Sequence, residues 1–201
     1  FGRPAALAAI IVFLAGADIS EMLTFTEDQG RAFAKNGHNV FNAIEALPQI
    51  TIAALNGHAM GGGCELAMAC DFRVMVKEGK IGQPETRLGL IPGWGGTQRI
   101  TRYVGLGWAR RLLFSGEAIS ADEALRIGLV DEVVPSAEEL DAALARWFKL
   151  LAPGSPAAIT RVKRALLQRD EIQEFGKCFC CSDAKEGMTA FHEKRKPGWA
   201  T

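Results

Sequence analysis

The order of elements in the sequence predicts an α/β or α+β fold that closes with a helical module. Two observations carry this expectation. Apolar, strand-like runs alternate with capped helices through the first two thirds of the chain, and the last third holds helix signals alone. Glycines, 22 in all, gather between strands and helices, which suggests tight backbone turns rather than disorder.

The first element is the ambiguous run "AALAAIIVFLAGADISEM", residues 5–22. Arg3, the apolar stretch Ala5–Ala17 and the small triplet Ala15-Gly16-Ala17 satisfy the grammar of a secretory signal. The same letters suit a buried strand ending in a tight turn. Next, Thr26-Glu27-Asp28-Gln29 is a capping box, in which the threonine hydroxyl and the glutamine side chain satisfy each other's free N–H groups. A helix follows, with Phe33, Val40, Phe41, Ile44 and Leu47 as its apolar stripe and Pro48 as its stop. "ITIAAL" (50–55) is a short buried strand leading into "NGHAMGGG", and "CELAMACD" is helical. "FRVMV" (72–76) returns to strand, with a turn at 78–80.

Residues 82–96 are loop-rich. A helix runs from Thr97 toward Val104 and is closed by Gly105, and a second spans Trp108 to Phe114. Ser120-Ala121-Asp122-Glu123 is a capping box for a helix ended by Gly128. "LVDEVV" (129–134) is a strand. Ser136 caps a helix ending before Pro153, Ser155-Pro156 opens another with the proline where its missing N–H costs nothing, and the last thirty residues are helical.

Bulk properties exclude several function classes. The chain has 201 residues, 48% apolar, with 23 basic and 23 acidic side chains. That length sustains one core, and a formal charge of zero gives no footing for nucleic acid or an anionic membrane. The apolar opening is too short to cross a bilayer, which takes about 18 residues or more. Five cysteines, three of them crowded at 178, 180 and 181, make no disulfide framework. Cys178 and Cys181 form C-x-x-C, but a zinc site needs a second ligand pair, and only His192 lies near. Free thiols in a reducing compartment fit better, and no metal is expected.

Chemistry concentrates at "NGHAMGGGCELAMACD". Consecutive glycines before a helix let a ligand approach the backbone, and the free N–H groups of the first helical turn favour developing negative charge. Glu65 lies three residues after Gly62, about one helical turn on. Either it faces a pocket or it merely complements the helix dipole. Glu85, in "GQPETRLGL", is either a second carboxylate for acid–base work or an exposed loop glutamate. Dinucleotide, P-loop and serine-hydrolase fingerprints are all absent. His38, His58 and His192 have no metal or triad spacing.

Five segments in order, "AGADISEM", "NGHAMGGGCELAMACDFRV", "GQPETRLGLIPGWGGTQR", "SGEAISADEALRIGLVDEVV" and "DAKEGMTAFHEKRKP", resemble the crotonase superfamily, and within it enoyl-CoA hydratase. The resemblance implies an α/β, ClpP/crotonase-like spiral of ββα units: a core over 1–135, with the family's N-terminal strands largely missing, and a helical trimerisation region over 136–201. It implies an acyl-CoA thioester substrate, reversible syn hydration of trans-2-enoyl-CoA, and a homo-trimer or hexamer. CoA is part of the substrate, and no other cofactor is implied. Glu65 and Glu85 match the catalytic glutamates, the backbone N–H groups of Ala17 and Gly62 the oxyanion hole, Gly93 the water-positioning glycine, and Ala15, Asp18 and Ile19 a substrate-binding strip.

Ser20 stands where some relatives carry lysine, and the segment after Trp94 and the C-terminal helices are the candidate pocket walls. The alternatives are another acyl-CoA reaction such as isomerisation, or a non-catalytic acyl-CoA or RNA-binding scaffold. The compartment implied is cytoplasm for a bacterial chain and mitochondrial matrix for a eukaryotic one. On this reading Gly16-Ala17-Asp18 belongs to the mature fold and is not a cleavage site.

Overall fold

The computed structural model describes residues 7–14 and 18–200. A sheet forms the centre, with strand β2 (Ile50–Met60) between β3 (Phe72–Val76) and β4 (Lys80–Gly82), both parallel to it. β6 (Glu132–Val134) extends the sheet in parallel beyond β3, and β5 (Ala118–Ser120) closes the other side antiparallel to β4. β1 (Leu7–Leu14) also pairs with β2, so that part of the ambiguous opening run is a strand.

Burial explains why β2 reads as a continuous apolar run. Its first six residues, Ile50 to Leu55, are all buried, as expected of a strand covered on both faces. The registers Ile52 to Phe72 and Ala59 to Ile81 place β3 beside the first half of β2 and β4 beside the second. Helix α3 (Gly62–Ala69) therefore springs from the end of β2 and delivers the chain back to β3. Leu55, Met68, Met75, Ile81, Ile100, Leu112 and Leu129 fill the core around them.

Most helices form where their local signals lie. α1 (Ile19–Met22) is a single turn, and α2 (Glu27–Glu45) opens on the expected capping box: Thr26 N–H donates to Gln29 Oε1 at 2.8 Å and Gln29 N–H to Thr26 Oγ1 at 3.4 Å. α4 (Gly96–Ser115) is broken at Gly105 (φ 69°, ψ 168°), giving the two expected segments. α5 (Ala121–Arg126) is capped by Ser120, whose Oγ accepts from Glu123 N–H at 3.2 Å. The reciprocal half of that box is not made, because the Glu123 carboxylate instead pairs with Arg126.

Three local expectations need correction. The strand predicted over 129–134 is confined to Glu132–Val134, because Leu129 and Val130 donate their N–H groups back to Ala124 O at the end of α5. Lys80 belongs to β4 rather than to the preceding turn. Ser136 makes no side-chain cap; a 3-10 turn, Ala137–Glu139, intervenes before α6 (Leu140–Leu151). The remaining helices are α7 (Pro156–Gln168), capped by Ser155 with Pro156 in its first turn, α8 (Glu171–Cys178) and α9 (Ser182–His192).

The chain forms two compact units, one of Ala9–Glu45 and Thr51–Leu144, the other including Ala46–Ile50 and Ala145 onward. In the second, Lys163 Nζ donates to Gln49 O at 2.6 Å and Thr160 Oγ1 to Pro48 O at 3.0 Å, tying α7 to the turn before β2. Buried Glu174 of α8 accepts from Arg161 (3.3 Å) and Lys177 (2.5 Å). All five cysteines are free thiols, and the described residues include no His/Cys/Asp/Glu cluster able to hold a metal. No described helix is long and apolar enough to cross a membrane.

In the first unit the buried cation Arg73 ties β3 to its neighbours. Its guanidinium donates to Leu129 O (2.8 Å), Cys70 O (3.0 Å) and Asp131 Oδ2 (2.8 Å), and lies 4.1 Å from the Tyr103 ring centre. Arg73→Met keeps the aliphatic bulk but strands those acceptors. It should lower stability by about 3 kcal/mol, read in urea unfolding as an earlier midpoint with an unchanged slope.

Candidate active site

Both glutamates singled out in the sequence line one cavity of about 460 Å³, together with Gly62, Gly93 and Ile19. Its other walls are mainly apolar: Met22, Phe25, Phe33, Leu88, Leu90, Ile91 and Trp94. The chain builds it at the carboxyl end of β2, where the glycine run lets α3 begin abruptly. Gly61 caps α3 without a side chain, so the first-turn N–H groups have no side-chain acceptor. The Gly62 N–H is thereby left available to an incoming oxygen.

Glu65 sits one turn into α3 and is 2% exposed. A carboxylate so withdrawn from water needs donors. It has two: the backbone N–H groups of Trp94 and Gly96 both donate to Oε1 at 2.8 Å. The loop carrying them is fixed in turn. Arg99 Nη1 donates to Trp94 O (2.9 Å), while its other nitrogens hold Glu45 Oε2 (2.9 and 3.1 Å) and Asn42 Oδ1 (2.6 Å). A side chain at position 96 has no room, since a Cβ there would stand 3.0 Å from Glu65 Oε1 and 2.8 Å from Pro92 Cβ. Burial raises the Glu65 pKa; the two N–H donors, then His38 and Arg99, oppose that rise.

Glu85 begins a 3-10 turn, Glu85–Leu88, and is only partly buried. Burial, reinforced by the negative charge of Glu65, pushes its pKa up to about 7. Beneath it lies the fully buried carboxamide of Gln83. With its nitrogen turned toward Glu85, this amide donates to both carboxylate oxygens, at 2.9 and 3.0 Å.

The other expected residues divide. Ile19 lines the cavity. Asp18 does not, and its side chain is engaged as the N-cap of α1, accepting from Ser20 N–H (2.9 Å) and Ser20 Oγ–H (2.6 Å). Those two bonds also hold its carboxyl below the usual range. Gly93 faces the cavity, and a Cβ there would meet nothing within 4 Å, so no steric demand explains the glycine. Ala15 and Ala17 lie outside the described residues. The wall expected after Trp94 is found instead at Trp94 and before it. Gln83 and Arg99 escaped the sequence reading: a glutamine before a proline and an arginine inside a helix carry no distinctive pattern.

The shift at Glu85 has a consequence for stability. The folded chain keeps a proton that the unfolded chain releases above the ordinary value of 4.5. Stability should therefore fall as pH rises from about 4.5 to about 7. Glu85→Gln has no proton to lose, so denaturation curves across that window should show a shallower decline and a relative gain above it. Equal slopes in the two proteins would overturn the assignment.

The geometry can be set beside known proteins. Residues 11–201 match the family described as enoyl-CoA hydratase/isomerase. The chain is 46% identical over 194 residues to a short-chain-enoyl-CoA hydratase of Clostridium acetobutylicum, covering 92% of this chain and 74% of that protein. It is 47% identical over 195 residues to a crotonyl-CoA hydratase of Syntrophomonas wolfei, with the same coverage. The crystal structure of an enoyl-CoA hydratase from Bacillus anthracis superposes with a TM-score of 0.82 at 37% identity, covering 94% of this chain and 80% of that one. Likeness of this extent, in sequence and in three dimensions alike, makes the chain a member of the enoyl-CoA hydratase/isomerase family within the crotonase superfamily.

Proposed function

We propose that the chain is an enoyl-CoA hydratase, adding water reversibly and syn across the double bond of a trans-2-enoyl-CoA to give the 3-hydroxyacyl-CoA. The observation that carries this reading is the pair of glutamates on one cavity beside an uncapped helix N-terminus. Kinship with proteins named short-chain-enoyl-CoA and crotonyl-CoA hydratase supports it.

The chemistry follows from the two environments. Water attacks Cβ only if the charge gathering on the thioester oxygen is stabilised. The Gly62 N–H, at the positive end of α3, supplies one donor, and Ala17 N–H is assigned the other. Glu65, braced by two N–H donors, is the carboxylate that orients the water and accepts its proton. Glu85 holds a proton near neutrality and delivers it to Cα. Syn addition forms the C–O and C–H bonds on one face, so both carboxyl groups must meet the double bond from the same side. The proton left on Glu65 then returns to Glu85 through solvent, closing the cycle. Gly93 is assigned to position the water through its backbone, and Ala15, Asp18 and Ile19 to contact the substrate. Addition of water is redox-neutral and the polarisation comes from N–H donors, so the reaction calls for no metal or cofactor beyond the CoA of the substrate.

A homo-trimer or a dimer of trimers completes the proposal. Leu166, Ile172, Phe175 and Phe191, on α7, α8 and α9, stand open to solvent at 76, 89, 66 and 87%. Apolar side chains in that number suit contact with further copies of the chain. Sedimentation equilibrium should return three or six times the chain mass, and a monomer at micromolar concentration would overturn the assembly.

Loss of crotonyl-CoA absorbance as its conjugation disappears tests the activity. Glu65→Gln and Glu85→Gln should each slow turnover by about 10²–10⁴-fold while acyl-CoA affinity changes little. Wild-type protein that ignores crotonyl-CoA yet shifts a 3-enoyl-CoA into conjugation would be an isomerase instead.

A further inference from the structure

We infer that Cys178 and Cys181 form a dithiol site that exchanges with small disulfides of the glutathione class and closes into a reversible disulfide within the chain. Neither thiol takes part in the hydration chemistry, and the inference stands apart from that reading.

The two residues are the ends of one turn. Cys178 closes α8, Cys181 is the N-cap of α9, and the Cys181 N–H donates to Cys178 O at 3.1 Å. A main-chain bond between residues three apart marks a turn whose end Cα atoms stand closer than about 7 Å. A disulfide needs them about 4.4–6.8 Å apart. Both thiols also bond along one stripe of α8: Cys178 Sγ donates to Glu174 O at 3.5 Å and Cys181 Sγ to Lys177 O at 3.8 Å. Both residues line a cavity of about 280 Å³ that lies wholly within the C-terminal unit and shares no wall with that of the glutamates. Cys180, between them, is exposed and is not part of its lining.

The surroundings divide the roles. A side-chain hydrogen bond joins Arg161 of α7, another lining residue, to Cys181. Cys181 also heads an 11-residue helix, and its side chain caps no N–H there. A guanidinium and a helix N-terminus both favour an ionised sulfur, so Cys181 is the attacking thiol and Cys178 the resolving one. Small residues, Ala157, Ala158, Ala184 and Gly187, leave the space in front of them open. In the first step the Cys181 thiolate attacks one sulfur of the small disulfide, whose S–S bond breaks, and one small thiolate leaves. In the second, Cys178 gives up its proton and attacks the Cys181 sulfur, and the other small thiolate leaves. The departing thiolates take up the two protons the cysteines lose. The protein dithiol is oxidised by two electrons, and the small disulfide is reduced to two thiols.

The test incubates the reduced, natively assembled protein with oxidised glutathione, quenches in acid, blocks remaining thiols and maps the cysteines by peptide mass. Wild type and Cys180→Ser should both lose the two thiol hydrogens, carry a bridge between 178 and 181, and return to the dithiol on adding dithiothreitol. Two further variants are made in the Cys180→Ser background, so that the exposed thiol cannot substitute. There Cys178→Ser should stop with one glutathione held on Cys181, and Cys181→Ser should form no bridge and leave Cys178 unmodified. A native wild type that forms no 178–181 bridge, or forms it only once unfolded in urea, overturns the inference. An adduct gathering on Cys178 in the Cys181→Ser protein as fast as the bridge forms in wild type overturns the division of roles. The wild-type and Cys180→Ser results decide the site even where a serine at 178 or 181 impairs folding.

Discussion

A carboxylate almost fully removed from water must be given hydrogen-bond donors, and much of the site is organised around meeting that need for Glu65. The donors are main-chain N–H groups of Trp94 and Gly96, so the loop between Pro92 and α4 has to present its backbone inward. Arg99 secures the same loop from behind through Trp94 O, and is itself neutralised by Glu45 at the end of α2. Three helices, α2, α3 and α4, are thus linked through one chain of charge-assisted bonds, which are about twice as strong as neutral ones. The position of the catalytic candidate is a property of that whole chain rather than of the rotamer of one residue.

Glu85 is the complement, and its difference from Glu65 is what makes two identical side chains useful. Glu65 is more deeply buried but is compensated by two backbone donors. Glu85 is half-exposed, lies on a short 3-10 turn, and feels the charge of its neighbour. Environments that separate two carboxyl groups in this way assign one to accept a proton and the other to supply it. The Gln83 amide beneath Glu85 donates to both of its carboxylate oxygens and holds the side chain in place.

What the sequence disclosed, and what it did not, follows from the range of the interactions. The boxes at Thr26 and the cap at Ser155 depend on residues three apart, and both formed. Ser136 has the same local pattern, yet a 3-10 turn replaced the expected start, so the hydroxyl caps nothing. β5 has three residues and pairs with β4, whose own three residues lie in a stretch that reads as turn and loop; neither stands out without the other. The strand at 129–134 was cut short because Leu129 and Val130 turn back to α5. Glu65 and Glu85 were found from their glycine and proline settings and from family likeness. Gln83 and Arg99 act through partners distant in sequence, and nothing near them marks the role.

Glycine shows the same dependence on distant partners in its sharpest form. In the interior of a helix it costs about 1 kcal/mol relative to alanine, and α2 contains two, Gly30 and Gly37. By local rules both are blemishes. Gly37, however, lies against the pyrrole edge of Trp94, where any side chain would collide with the ring, while Gly30 would meet nothing within 4 Å. Identical letters on one helix therefore have opposite status, and only the indole that reaches across from the 93–96 loop distinguishes them. That same indole reaches Gly62 at the mouth of α3. Residues 37, 62 and 94 form a single packing constraint, with two helices left bare so that one large ring can stand between them. A substitution at either glycine would therefore act on the cavity first and on helix stability second, although the local sequence suggests the reverse.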